Sequence, residues 1–174
     1  MVKETEKTKS RIFTKLRTDL KTFITLVSAI GISLLAGGVG SAFTVKNIPT
    51  WYAGLNKPFF SPPNWLFAPV WTTLYIMMGI SLYLIVKKQK PLFSKPVKIF
   101  LLHLVVNSLW SIVFFGMKSP GLAYIVIVIL WYMIFRLIGI FSKIDKRASY
   151  LLIPYFAWVS FASFLNLSVW YLNK

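Results

Sequence analysis

Five long apolar segments, separated by short polar breaks, dominate the hydrophobic pattern of the chain. An apolar run of about 20 residues crosses the roughly 30 Å hydrocarbon core of a bilayer as an α-helix. The pattern therefore predicts an all-α integral membrane protein, a five-transmembrane-helix bundle. The predicted spans are residues 23–45, 65–86, 99–115, 121–141 and 150–171.

The connections between these spans are too short to hold another domain. We therefore predict a basic cytoplasmic tail at residues 1–22 and one membrane domain at residues 23–174. In the tail, Phe13, Leu16 and Leu20 would share one side of a helix, with Lys and Arg around them. Such a helix could lie on anionic lipid, or the tail could be solvated and serve only to fix topology.

The amino-acid composition also indicates that lipid solvates part of the protein surface. The chain is 57% hydrophobic and 17% aromatic, and its mean hydropathy is +0.68. A water-soluble domain of 174 residues could not cover that much apolar surface. A soluble globular fold is therefore excluded.

The net charge of +16 predicts orientation rather than nucleic-acid binding, because seven basic residues precede Phe23 and nearly all the others lie in the breaks between spans. Fifteen of the 20 Lys and Arg residues fall on one predicted side, in the tail and at residues 87–98 and 143–147. The other side has four, Lys46, Lys57, Lys118 and Lys174, and Arg136 lies inside the fourth span. We predict a cytoplasmic N-terminus, an outside C-terminus and a prokaryotic cytoplasmic membrane.

Few residues are available for conventional catalysis or metal binding. The chain has no cysteine, one histidine and four acidic residues, so disulfides, thiol nucleophiles and a protein metal site are not expected. The sequence has no hydrolytic triad and no phosphate-binding loop. If the protein is an enzyme, it would have to use unconventional chemistry.

The first external connection combines rigid and aromatic residues. It runs from Trp51 to Trp65 and includes Pro58, Pro62 and Pro63, which restrict the backbone and disfavour helix before them. Two interpretations follow: a stiff lid over a binding site, or an aromatic belt at the membrane boundary.

Three predicted helices place aromatic or polar residues on one face. These faces are Phe67, Trp71 and Tyr75; His103, Asn107 and Ser111, with Trp110 nearby; and Tyr155, Trp158, Ala162 and Leu165. Polar groups are costly against lipid, so they should point into the bundle. The three faces could enclose a hollow for a flat apolar ligand, or they could form a tightly packed aromatic core.

The first span has a stripe of small residues at intervals of four. Its members are Ala29, Ser33, Gly37 and Ser41. Such a stripe allows close helix approach, either within the bundle or between two copies of the chain.

With these residues identified, the chain resembles the TspO/MBR family, the tryptophan-rich sensory proteins related to the mitochondrial translocator protein, or peripheral benzodiazepine receptor. The resemblance covers almost the whole chain after the tail. It is carried by the order of four motifs around the spans. These are Trp51-Tyr52 to Pro62-Pro63; Pro69-Val70-Trp71 with Leu74-Tyr75; Asn107 to Trp110 with Phe114-Phe115-Gly116; and Pro154-Tyr155 with Trp158, Phe161-Ala162 and Leu165-Asn166.

The resemblance implies a homodimer of five-helix bundles that binds porphyrins, haem or isoquinoline-type drugs beneath the first loop. It implies these pocket residues: Tyr52, Phe67, Ala68, Trp71, Asn107, Trp110, Trp158, Ala162 and Leu165. The resemblance implies no obligatory cofactor and no metal, because the tetrapyrrole would be bound as a ligand. Two departures are Phe60, where the family commonly has Trp, and His103, where it commonly has Gln.

Three functions follow from this resemblance. The leading one is a membrane receptor or binding protein for tetrapyrroles, acting in their sensing, transport or removal. The second is light-dependent porphyrin degradation through Trp71 and Trp158, which are the implicated tryptophans in some relatives. The third is a scaffold whose ligand regulates partner association.

Overall fold

The computed structural model describes the backbone of residues 2–89 and 92–174, and the side chains of residues 15–89 and 92–174. Five long helices make up the fold: α1 (Val2–Asn47), α2 (Phe67–Lys88), α3 (Lys95–Ser111), α4 (Pro120–Ser142) and α5 (Lys146–Leu172). Short 3₁₀ turns occupy Tyr52–Gly54 and Asn64–Leu66, and a π-helical turn, Ile112–Gly116, extends α3.

Helix α1 runs without a break from the predicted tail into the first apolar segment. The backbone of residues 2–22 is therefore helical and continuous with the span that follows. The predicted tail side chains Lys9, Arg11 and Phe13 lie outside the described residues, as does Lys90 in the second basic cluster.

The five helices close into a ring. Helix α1 packs against α2 and α3, α2 packs against α5, and α4 lies between α3 and α5. All five are long and apolar enough to cross a membrane, the first over Lys15–Asn47. The predicted fold class, an all-α five-helix membrane bundle, is confirmed.

Apolar side chains cover the outside of the ring. Leu35 of α1, Val105 of α3 and Ile125 of α4 are each more than half exposed. Large exposed hydrophobic residues would be unfavourable in water, whereas lipid is the solvent that suits them.

One end of the bundle is solid. Ile85, Phe100, Leu137, Phe141 and Leu152 are completely buried where α2 ends and α5 begins. Phe100 and Phe141 stack with ring centroids 6.0 Å apart. The cavities described below therefore lie at the opposite end, beneath the first loop.

Small residues bring α1 close to its neighbours. A Cβ added at Gly37 would overlap the ring of Tyr75, and one at Gly40 would lie 3.1 Å from Cβ of Ser111. Ser111 donates a 2.9 Å hydrogen bond to the Gly40 carbonyl, and Ser33 is fully buried. Packing within the bundle therefore accounts for most of the small-residue stripe, although Ser41 is exposed.

Asp145 fastens the connection between α4 and α5. Its carboxylate accepts the backbone N–H of Arg147 at 2.9 Å, which caps α5, and forms a 3.0 Å ion pair with Lys88 of α2. The Arg147 side chain, at 3.3 Å, and then the Lys88 side chain hold the pKa of this buried carboxyl well below its usual range.

Alanine at Gly79 tests the contact between α1 and α2. Its Cβ would overlap the Ile30 backbone, so α1 must shift, and we expect the free energy of unfolding to fall by about 1–3 kcal/mol. The control is Gly139→Ala, because a Cβ there meets nothing within 4 Å. Unfolding in detergent, followed by circular dichroism, measures both variants. A Gly79→Ala protein as stable as the wild type would contradict this packing.

Stability should depend on pH through Asp145. In the unfolded chain its carboxyl titrates near the ordinary pKa of 3.8, and in the folded chain that pKa is lower. The carboxylate therefore stabilises the fold fully above the unfolded pKa, and the stabilisation is lost as the pH falls below it. Asp145→Asn should lower the unfolding temperature at pH 7, and the difference from wild type should shrink below pH 4. A constant difference from pH 7 to pH 3 would argue against the ion pairs.

Candidate ligand-binding site

Two tryptophans form a wall inside the hollow end of the bundle. Trp71 of α2 and Trp110 of α3 stack with centroids 6.3 Å apart and planes inclined by 29°. Tyr75, one turn after Trp71, stacks on it at 5.6 Å. The helical spacing of four residues puts Trp71 and Tyr75 on one face. We call the Trp71 and Trp110 pair the tryptophan wall.

A cavity of about 310 Å³ lies on the α1 side of this wall. Tyr75 and Asn107 line its inner end, and Ile48 and Asn64 line the end nearest the first loop. The volume is at the lower end of the roughly 300–1,000 Å³ typical of small-molecule sites. We call this space the α1 cavity.

The α1 cavity opens sideways between α1 and α2. Its lining includes Leu34, Ser41 and Val45 of α1 and Thr72 of α2, all of which are exposed on the outside of the bundle. The opening therefore faces the apolar surface where lipid would lie, so an apolar molecule in the bilayer has direct access.

A second space lies on the α5 side of the wall and is much smaller, about 30 Å³. Tyr52, Trp158, Ala162 and Leu165 line it, and its tight aromatic packing leaves room for about one water molecule. We call it the α5 pocket. The sequence predicted the main hollow here, among the second, third and fifth helices. The larger space instead lies among α1, α2 and α3, because side chains such as Phe114 fill the α5 side.

Each of the nine predicted site residues lines at least one of these two spaces. The α1 cavity includes Phe67, Ala68, Trp71, Asn107 and Trp110. The α5 pocket includes Tyr52, Phe67, Trp71, Trp110, Trp158, Ala162 and Leu165. The tryptophan wall and Phe67 belong to both, so the predicted residues form one continuous cluster divided by aromatic rings.

Asn107 connects three helices through its side-chain amide. Tyr75 of α2 donates its hydroxyl proton to Oδ1 of Asn107 at 2.5 Å. Nδ2 of Asn107 donates to the Tyr155 hydroxyl of α5 at 2.9 Å. Asn107 is 2% exposed and Tyr155 is completely buried, so these hydrogen bonds form in a low-dielectric interior.

Trp158 has an unused hydrogen-bond donor. Its Nε1 is buried and has no acceptor among the described residues. By contrast, Nε1 of Trp110 donates to Asn166 at 3.0 Å, and Nε1 of Trp131 donates to Ser160 at 2.8 Å. A buried N–H without a partner is costly, so the Trp158 donor is available to a bound group beside the α5 pocket.

The first loop covers this end of the bundle. Tyr52 is 3% exposed and contacts the ring of Phe67 edge-on at 6.5 Å. Lys57 lies 5.0 Å from the Tyr52 ring centroid, and its Nζ donates to the carbonyls of Ala53 and Leu55. Burial raises the pKa of Tyr52 above 10.0, so the hydroxyl stays neutral.

Two asparagines join the loop to the end of α5. The backbone N–H of Asn56 donates to Oδ1 of Asn173 at 3.0 Å, and Nδ2 of Asn173 donates to the Asn56 carbonyl at 2.9 Å. We call this pair the asparagine latch. Sequence reasoning missed it because nothing in the local pattern links residues 117 positions apart.

The contribution of α1 to the cavity was also missed. Gly37, Gly40 and Thr44 line it, and Thr44 and Ser111 share a 2.6 Å hydrogen bond between hydroxyls. The small-residue stripe was the available signal, because glycines leave space as well as permitting close packing.

These features define a class: a five-helix membrane protein with an aromatic-walled cavity that opens to lipid. The TspO/MBR family model matches residues 29–172. The chain is 43% identical over 155 residues to the tryptophan-rich protein TspO of Chlorobaculum tepidum, which covers 88% of this chain and 98% of the relative. It is 35% identical over 155 residues to the translocator protein of Bos taurus, covering 85% and 91%.

Another relative is the tryptophan-rich sensory protein of Cereibacter sphaeroides, 30% identical over 155 residues, covering 89% of this chain and 93% of the relative. The chain belongs to the TspO/MBR family. It is therefore an integral membrane protein of the sensory or transport kind that this family comprises.

Removing the asparagine latch should loosen the loop. Asn173→Ala deletes both side-chain partners of the Asn56 backbone, so we expect faster amide hydrogen exchange in the peptide that contains residues 52–56. Asn47→Ala is the matched control, because among the described residues the Asn47 side chain donates within its own helix, to the Phe43 carbonyl. Exchange mass spectrometry in detergent measures both. Equal exchange in Asn173→Ala and wild type would show that the latch does not hold the loop.

Proposed function

We propose that this protein is a membrane receptor or binding protein for porphyrins and haem-type tetrapyrroles, acting in their sensing, transport or removal. The observation that carries the proposal is the tryptophan wall, whose rings line the 310 Å³ α1 cavity. A tetrapyrrole is flat, largely apolar and acidic at one edge. Stacking on indole rings is the interaction that suits its plane.

The shape of the cavity supports a ligand of this kind. The inner end offers aromatic rings and the Asn107 amide, whereas the end near the loop includes Asn64, which is exposed. An amphipathic ligand would place its apolar plane on Trp71 and keep its carboxylates near Asn64 and the membrane boundary. Because the cavity opens between α1 and α2, a ring larger than the enclosed volume can extend sideways into lipid.

Binding, rather than photochemical degradation, is the function that the two spaces favour. The degradative alternative requires a porphyrin in contact with both Trp71 and Trp158. Trp71 lines the α1 cavity, but Trp158 lines only the 30 Å³ α5 pocket on the other side of the wall. A porphyrin in the α1 cavity would therefore contact one of the two tryptophans.

The proposed orientation follows from charge. The ends of α2 and α4 and the start of α5 carry Lys88, Lys143 and Lys146, whereas the cavity end has only Lys46, Lys57, Lys118 and Lys174. By the positive-inside rule we propose that the solid end faces the cytoplasm and the cavity end faces outside. The membrane that we propose is a prokaryotic cytoplasmic membrane. Isoquinoline-type molecules would occupy the same cavity, and the proposed unit is a homodimer.

Porphyrin titration of the purified protein tests the proposal, with quenching of tryptophan fluorescence as the readout. Trp71→Ala removes one face of the wall, so we expect the dissociation constant to rise about tenfold or more. Trp170→Ala is the control, because Trp170 stacks on Tyr124 away from both spaces. It should leave the affinity unchanged.

Two results would count against this site. Saturable binding with the same affinity in Trp71→Ala and wild type would place the ligand elsewhere. Absence of saturable quenching in the wild type, relative to free tryptophan in the same detergent, would reject tetrapyrrole binding itself.

A further inference from the structure

Arg136 is a charged residue on the exposed surface of a membrane-spanning helix. It lies on α4 and precedes the last residue of that helix, Ser142, by six positions, or about 9 Å. Its Nη1 donates to the Tyr132 hydroxyl at 3.3 Å, and its guanidinium carbon lies 6.0 Å from the Tyr132 ring centroid. Tyr132 is one turn further from Ser142, so the contact directs the cation toward the middle of the span.

The chain has no carboxylate that could compensate this charge within the membrane. Its four acidic residues are Glu4, Glu6, Asp19 and Asp145. None therefore lies between residues 20 and 144 or after residue 145. Among the described residues, Asp145 forms ion pairs with Lys88 and Arg147. A second copy of the chain has the same spans and brings no acidic side chain into them. Because a charge in hydrocarbon is costly, the anion that pairs with Arg136 must come from another molecule.

The helix surface between Arg136 and the membrane boundary has a gap. Gly139 lies one turn nearer the end of α4 and is exposed, and a Cβ there would meet nothing within 4 Å. Lys143 follows one turn later and is also exposed. Residues three and four positions apart share a helix face, so two cations flank a position that has no side chain. We call the surface formed by Arg136, Gly139 and Lys143 the α4 notch.

We propose that the α4 notch binds the phosphate group of an anionic phospholipid. Long basic side chains extend along a helix to the headgroup layer, so Arg136 and Lys143 can both reach a phosphate that lies over Gly139. The guanidinium matches two phosphate oxygens at once, and the ammonium group adds a second positive charge. The phosphate supplies the anion that the spans of this chain lack.

The surroundings of the α4 notch suit the rest of a lipid molecule. Ile129 and Ile125 lie deeper on the same side of α4 and are half exposed or more. Phe135, beside Arg136, is 54% exposed and stacks on Trp131 at 6.1 Å. These side chains offer an apolar surface to the acyl chains. An anionic headgroup is favoured over phosphatidylcholine, because choline would bring a third cation next to two others.

This site is separate from the site of the proposed function. The described residues that line the α1 cavity lie on α1, α2, α3, the π-helical turn and the first loop, and none lies on α4. Removing Arg136 should therefore leave the affinity for porphyrin unchanged. Tetrapyrrole binding and lipid binding can fail independently.

Native mass spectrometry of the purified protein tests the site, with dioleoyl phosphatidylglycerol and dioleoyl phosphatidylcholine added in equal amounts. We expect the wild type to retain phosphatidylglycerol in preference. Arg136→Leu should weaken phosphatidylglycerol binding about tenfold, the equivalent of one charge-assisted hydrogen bond, and leave phosphatidylcholine binding unchanged. Lys87→Leu is the control. It removes the same charge at the same end of the bundle, but on α2, whereas α4 lies between α3 and α5.

Gly139→Leu tests the shape of the notch separately from its charge. The new side chain would fill the gap and leave both cations in place, so we expect phosphatidylglycerol binding to weaken as much as in Arg136→Leu. Gly31→Leu, on α1, is the matched control, because a Cβ at Gly31 also meets nothing within 4 Å. Circular dichroism confirms that each variant is folded.

Three results would overturn the proposal. Equal retention of the two lipids by the wild type would leave Arg136 to a carboxylate on another protein. Equal losses in Arg136→Leu and Lys87→Leu would show a general attraction of anionic lipid to the solid end rather than a site. Phosphatidylglycerol binding that Gly139→Leu leaves unchanged would show that the phosphate does not lie in the notch.

Discussion

The two hydrogen bonds of Asn107 are the interaction on which the hollow end of the bundle depends. They join α2, α3 and α5 through Tyr75 and Tyr155 at a level where the helices diverge around empty space. Lipid offers no replacement partner for a polar group there, so separating these helices would leave three polar groups unpaired. The amide can hold the helices apart at a fixed distance without filling the space between them.

The contrast between the two ends follows from side-chain size and shape. Phe100, Phe141 and Leu152 fill the end where Lys88 and Asp145 close the connection. At the other end, the tryptophan wall, Gly37 and Gly40 line the α1 cavity together. Tyr75 packs where a Cβ of Gly37 would lie, and Ser111 lies 3.1 Å from one at Gly40, so α1 approaches its neighbours closely and adds no side chain to the α1 cavity at these two positions.

The number, type and order of the helices could be predicted from hydrophobic length, because lipid thickness imposes that length on each span. The inward faces of α2, α3 and α5 could be predicted from the spacing of Trp71, Asn107 and Trp158. Sequence could not decide which side of the tryptophan wall is open. The open side depends on the distance between α1 and α2, and on the π-helical segment that directs Phe114 inward. The asparagine latch was equally out of reach, because tertiary contact alone pairs Asn56 with Asn173.

Because the α1 cavity opens sideways, the first loop does not need to open for a ligand to enter. Leu34, Val45 and Thr72 border an opening on the lipid-facing surface, so a ligand dissolved in the bilayer needs no passage through the loop. The loop is instead fixed by the asparagine latch and by Tyr52, which is buried against Phe67. A first loop held in place shields the Asn107 amide from water. Water would offer Tyr75 and Asn107 alternative partners, so excluding it strengthens the two hydrogen bonds that join the helices.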